Sequence, residues 1–290
     1  MFVAFAGSTP RASADDADKA YPVKIAVPQK VGDKQILVAN GKQTRHITTT
    51  VGANPPEVQD QDLAAELEGT LEILQVDSKG SPTKLSLTVK KCAKTGADAA
   101  EILPAGAVVV AEESDGKSKF TLKDGELTPE QSEALSLLVS VAAPDSPTDD
   151  EAFGSAQPRK PGDSWDVNRE KIAESANAHG VVVKADDIQG KVTMGPVTKV
   201  ADKTYLNYKG EFSVDKLTVP IPGLTVKGAK MHATMAKSVP ADGSKAEVSG
   251  NEKMTMEFSA GGAGPNGTQV TVIASVSMEA QRKYTPVASN

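Results

Sequence analysis

A four-residue turn signature is written twice in this chain, and that duplication limits the architecture more than any other feature. Lys30-Val31-Gly32-Asp33 opens one run of alternating segments, and Lys160-Pro161-Gly162-Asp163 opens another 130 positions later. The echo continues downstream, where Leu67-Glu68-Gly69-Thr70-Leu71-Glu72-Ile73 has the pattern of Ile188-Gln189-Gly190-Lys191-Val192-Thr193-Met194, 121 positions on. Each copy is followed by a polar turn and a second alternating strand. The first half therefore carries about nine extra residues in an intervening loop, where insertion is best tolerated. A duplicated β unit constrains the fold and says little about chemistry.

Alternation with period two marks the strands. Leu206, Tyr208, Gly210, Phe212 and Val214 form one face against Tyr205, Asn207, Lys209, Glu211 and Ser213. Val270, Val272, Ala274, Val276 and Met278 repeat the pattern, as do Met254, Met256 and Phe258, and Leu85, Leu87 and Val89 in the first half. Turn signals at Asp124-Gly125, Asp242-Gly243 and Asn266-Gly267 separate them. Connections this short demand an antiparallel meander.

Two segments break the pattern. Thr128-Pro129-Glu130-Gln131 is a capping box with Pro at the first helical position, and Leu135, Leu138, Val139 and Ala142 follow on one stripe, so a helix is expected over about 129–142. A shorter helix is expected from Asn168 to Asn177, capped by Asn168 or Asp166, with Ile172, Ala173 and Ala176 inward. The predicted class is mainly β: two tandem repeats of curved antiparallel sheet, half-barrel-like meanders with one or two short helices, able to share one continuous sheet. The expected divisions are a leader at 1–20, a first repeat at 21–143, a solvated acidic, Pro-rich linker at 144–157, and a second repeat at 158–290.

Composition removes several partners. Only 4% of residues are aromatic, so the core must be aliphatic, and a net charge of −6 leaves no basic footprint for nucleic acid or an anionic membrane surface. No run approaches the ~18 apolar residues of a membrane helix. Ala12-Ser13-Ala14 before Asp15-Asp16, after an apolar start, has the form of a signal-peptide cleavage site, with mature sequence from Asp15. A disordered leader is the other reading. The single Cys92 excludes an internal disulfide and a Cys-rich metal site.

Gly162-Asp163-Ser164-Trp165, the helix-like stretch after it, Gln189-Gly190-Lys191-Val192, and Pro222-Gly223-Leu224-Thr225-Val226-Lys227 before the closing meander carry a resemblance. They resemble a family of secreted bacterial proteins of unknown function, of the kind found in planctomycete-type genomes, with paired K-x-G-D units. The layout is also similar, more distantly, to the periplasmic lipoprotein-carrier half-barrels, whose curved sheets are lined by apolar side chains and covered by helices. Neither resemblance brings catalytic residues with it.

Candidate chemistry is thin. Gly162-Asp163-Ser164 matches one esterase nucleophile motif, but none of His46, His179 and His232 has the Asp three positions earlier that such a base requires. A turn opening a strand, with Trp165 as a core anchor, is the better reading. Gly262, Gly264 and Gly267 fit G-x-G-x-x-G without a following helix, so they read as a hairpin loop. Asp60, Asp62, Asp186 and Asp187 lack the spacing of a Ca²⁺ loop and read as solvated strand ends. Met231, Met235, Met254, Met256 and Met278 crowd the last sixty residues, each on its strand's apolar face. Ordinary core explains them first, a concave apolar ligand face second, and Cu(I) binding third, because His232 must point away from Met231 and Met235.

The expectation is a non-enzymatic exported protein without cofactor or metal. It would be secreted, periplasmic or in the cell envelope, and would bind or carry an apolar small molecule, lipid or lipidated partner. The candidate ligand face is Leu206, Tyr208, Phe212, Met231, Met235, Met254, Met256 and Met278. The competing reading is a structural or interaction module of the envelope with a sealed core and an envelope protein as partner.

Overall fold

The computed structural model describes residues 11–12, 18–114, 116–218, 223–263 and 267–287. Its strands in the first half are β1 (Arg11–Ala12), β2 (Lys34–Val51), β3 (Glu57–Val76), β4 (Pro82–Lys94), β5 (Glu101–Leu103), β6 (Val108–Ser114) and β7 (Lys117–Leu122). The second half holds β8 (Ser164–Asp166), β9 (Val182–Val183), β10 (Ile188–Met194), β11 (Thr198–Val200), β12 (Lys203–Val214), β13 (Leu217–Thr218), β14 (Thr225–Pro240), β15 (Val248–Ala263) and β16 (Gln269–Pro286). Fourteen of these strands form one open antiparallel sheet, whose main path is β1-β11-β12-β14-β15-β16-β2-β3-β4-β6-β7; β9 and β13 pair by themselves. The halves thus share one sheet, joined where β16 pairs with β2 from Pro286↔Gln35 to Val270↔Val51.

The two K-x-G-D turns make the same hydrogen bonds. In the first, the Asp33 N–H donates to Lys30 O, the Lys30 N–H to Asp33 Oδ2, the Gly32 N–H to Ile73 O at 2.8 Å, and the Ile73 N–H to Asp33 O at 2.9 Å. In the second, Asp163, Lys160, Gly162 and Met194 repeat all four bonds, with 2.8 Å and 2.9 Å at the corresponding strand contacts. Gly32 and Gly162 have φ of 86° and 92°, a region a side chain would strain. Since Ile73 and Met194 each lie four residues past Gly69 and Gly190, those glycines hold equivalent places. In this register Ile73↔Leu85 and Met194↔Tyr208 make Leu85 the counterpart of Tyr208, and Leu71↔Leu87 and Val192↔Gly210 make Leu87 the counterpart of Gly210.

Three helices occur among the described residues. Helix α1 (Pro129–Leu138) has the capping box read from Thr128 and Gln131, but it stops four residues short of 142. Val139 is β-branched, buried and extended, Val141 is buried after it, and Arg282 of β16 donates from Nε to Leu138 O and from Nη2 to Leu137 O. Helix α2 (Asp149–Phe153) lies in the segment expected to be a solvated linker. That connection is docked: Asp150 Oδ1 accepts the N–H groups of Ile25 and Ala26, Lys79 pairs with Glu151 at 2.7 Å, and Lys237 with Asp149 at 2.5 Å. Lys79 and Thr148 hold the Glu151 carboxyl down to about 2. Helix α3 (Arg169–Ala178) uses Asn168, one of the two caps the sequence offered, whose side chain accepts from the Lys171 N–H.

Two cores lie against one face of the sheet. The first packs Leu37, Leu67, Leu71, Leu85, Leu87 and Val109 under Leu135 and Leu138 of α1. The second packs Trp165, Ile188, Val192, Met194, Leu206 and Tyr208 with Ile172 of α3 and Ala152 of α2. Each such aliphatic side chain contributes roughly 1.5–3 kcal/mol by leaving water. Tyr21 and Ile25 also belong to the second core, so the strap before β2 covers the half that follows it much later in sequence.

Candidate functional site

Residues opposed across antiparallel strands share a face. One cross-strand row runs Phe212, Ala233, Met254, Met278, Gln43 and Leu63, and the next runs Val214, Met231, Met256, Val276, Arg45 and Gln61. By the same pairing, Gly210 and Met235 lie one row from Phe212, Tyr208 two rows and Leu206 three. All eight candidate residues therefore lie on one face, the one that carries both cores.

They differ in depth. Leu206 and Tyr208 are each only 1% exposed and sit inside the second core, where Tyr208 meets the Trp165 ring edge-on at 6.3 Å and burial pushes its phenol up to about 12. These two are core. Phe212, Met231, Met235 and Met256 are half-buried and flank the second core, Met278 flanks the first, and half-buried Met254 stands between them, opposite Met278. Six of the eight thus form a continuous half-open strip between the two helical covers. The sequence missed the other end of this strip: Gln43 and Arg45 occupy inward positions of β2 in the series Leu37, Ala39, Gly41, Gln43, Arg45, Ile47. Two polar residues at apolar parity were the available signal.

Arg45 is paired with Glu133 of α1, Nη1 to Oε1 at 2.8 Å, and turning the Gln43 amide lets its oxygen accept from Arg45 Nε and Nη2 at 3.1 and 3.0 Å. Lys94 of β4 pairs with Glu130 one turn earlier in α1. These groups border a cavity of about 350 Å³.

The remaining motifs take structural parts. Gly162 and Asp163 form the turn that opens β8; the Ser164 hydroxyl bonds Thr193 Oγ1 at 2.8 Å, and buried Trp165 donates from Nε1 to Phe153 O. Gly262 and Gly267 flank the β15–β16 hairpin, and Gly264 lies outside the described residues. Asp60 is exposed on the opposite face, 2.6 Å from His46 Nδ1, and Asp186 and Asp187 lie in a short 3-10 turn. His232 faces Glu211, away from the methionines. Among the described residues no group of three or more His, Cys, Asp or Glu is placed to hold a metal. Cys92 is buried in the first core, and desolvation pushes its thiol up to about 11, which leaves it unreactive. No helix among the described residues is long and apolar enough to cross a membrane. Most of the leader-like segment lies outside the described residues; Arg11 and Ala12 pair with β11.

No protein-family model matches the chain, and no curated protein does. Among solved structures, outer membrane protein AlkL aligns over 94% of this chain and 99% of its own, at 9% identity and a TM-score of 0.20. A LolA superfamily protein from Nitrosomonas europaea aligns over 86% of each chain at 10% identity and a TM-score of 0.16. OpdQ from Pseudomonas aeruginosa aligns over 88% and 98% at 7% identity and a TM-score of 0.20. Likenesses this slight carry neither a shared fold nor a function to this chain.

Proposed function

We propose that this protein is a non-enzymatic, exported binding protein that holds an apolar ligand, a lipid or the lipid part of a partner, on the strip between its two covers. One observation carries the reading. Phe212, Met231, Met254, Met256 and Met278 are half-buried on the core-bearing face, between two closed cores and not inside either. Flexible thioethers suit a ligand of variable shape, and an apolar guest gains about 25 cal/mol per Å² removed from water. Export rests on Ala12-Ser13-Ala14 alone, and the paired K-x-G-D turns support both an internal duplication and the resemblance to the secreted family.

A second reading, an envelope module with a sealed interior, draws on the full burial of Leu206 and Tyr208. Met254→Ala separates the two. A closed core predicts a loss of ~2–5 kcal/mol in urea unfolding. An open strip predicts less than ~1 kcal/mol, together with altered uptake of the apolar dye Nile red. Full destabilisation with no uptake by the parent protein would sink the carrier reading.

A further inference from the structure

We propose that the strip selects single-chain amphiphiles with a zwitterionic head, phosphate against Arg45 and ammonium against Glu133; this rests on the carrier reading and deepens it. Both central rows turn from apolar to polar at the same strand. The row through Met254 and Met278 reaches Gln43 on β2, and the row through Met256 and Val276 reaches Arg45 beside it. From β12 to β16 the apolar run crosses three strand spacings, about 14 Å, the reach of an extended alkyl chain of about a dozen carbons. The face is therefore shaped for one chain with one polar end.

Charge decides what that end is. On the strip's face the cavity beside Arg45 is bordered by Glu130 and Glu133 of α1 and by the two cations Arg45 and Lys94, while Asp60 and Asp62 of β3 have the parity of the other face. The set is balanced, so a simple anion on Arg45 would leave the Glu133 carboxylate without its partner, and a simple cation on Glu133 would leave the guanidinium without its own. A head with both signs answers the set: phosphate accepts the forked guanidinium N–H groups, and the ammonium takes the carboxylate that Arg45 releases. The Arg45–Glu133 pair is about a third exposed on both sides, and pairs so exposed open at small cost.

The test displaces Nile red from the full chain with four C12 competitors below their micelle concentrations: dodecylphosphocholine, dodecanoate, dodecanol and dodecyltrimethylammonium. Dodecylphosphocholine should act at a concentration at least tenfold lower than the others. Arg45→Gln should abolish that preference while keeping its urea midpoint, and Glu133→Gln, measured independently, should improve dodecanoate several-fold. Equal potency of all four competitors, or a preference that survives Arg45→Gln, would overturn the headgroup assignment and leave the carrier reading standing. Failure of the dye to bind, or of any competitor to displace it, would overturn the carrier reading and this inference with it.

Discussion

The two K-x-G-D turns, one in each half, build the same local backbone frame, and the side chains beside them fill it differently. In each half the turn is stitched to a strand four residues past a glycine on which the next strand closes tightly. A Cβ at Gly69 would lie 2.7 Å from Thr88 O, and one at Gly190 2.5 Å from Glu211 O. Above that frame the first half sets Leu71 against Leu87, and the second sets Val192 against Gly210. Met235 of the next strand fills the space Gly210 leaves, its Cγ 3.0 Å from where a Cβ would stand. The lesson is that backbone bonding fixes the frame, while the filling is free to move from rigid branched leucines to a pliable thioether. The pliable half is the one that borders the strip.

The largest expected effect breaks or upholds the contrast in packing. Leu87→Ala, at a site 1% exposed, should cost ~2–5 kcal/mol in urea unfolding, because its neighbours cannot refill the hole. A loss as small as that expected for Met254→Ala would erase the difference between closed core and strip. Next, Gly69→Ala and Gly190→Ala should each cost ~1–3 kcal/mol through backbone crowding. Losses that differ by more than this range would show that the two frames are not equivalent. The smallest effect separates the twin aspartates. Burial raises the Asp33 pKa, but Lys245, the Lys30 N–H and the Lys30 charge together hold it below 3.8. Its contribution is therefore present above the unfolded value and lost as pH falls through the lower folded one. Asp33→Asn should remove ~1 kcal/mol at pH 7 and flatten the acid limb of a stability–pH curve below about pH 4. Asp163→Asn, whose carboxylate caps the same turn without a Lys245, should cost less.

Much of the frame could be read from the sequence, because turns and alternation are local. The turn glycines at 32 and 162 and the Thr128 capping box act within a few residues and took their expected form, and of the two caps offered for α3 the structure uses Asn168. Helix α2 was legible too: Thr148 and Glu151 form a capping box that the Pro-rich, acidic surroundings obscured. The end of α1 was not, since it depends on Arg282, 144 residues away from Leu138. The strip was half legible for the same reason. Strand parity put eight residues on one face, but parity cannot say which lie under a cover, and Leu206 and Tyr208 lie under one. The polar end of the strip appears only when β16 is known to lie beside β2.

That last pairing governs the order in which the molecule can be completed. As the chain is synthesised, β2 to β7 can assemble early, yet the free edge of β2 waits for the final strand to emerge. For most of the time on the ribosome an eighteen-residue row of backbone donors and acceptors has no partner. A message truncated before Gln269 would leave two long edges, β2 and β15, open for good, and edges of that length recruit other chains. Late nonsense mutations should then be worse than early ones, yielding a nearly finished body that templates aggregates where a short fragment would simply be degraded.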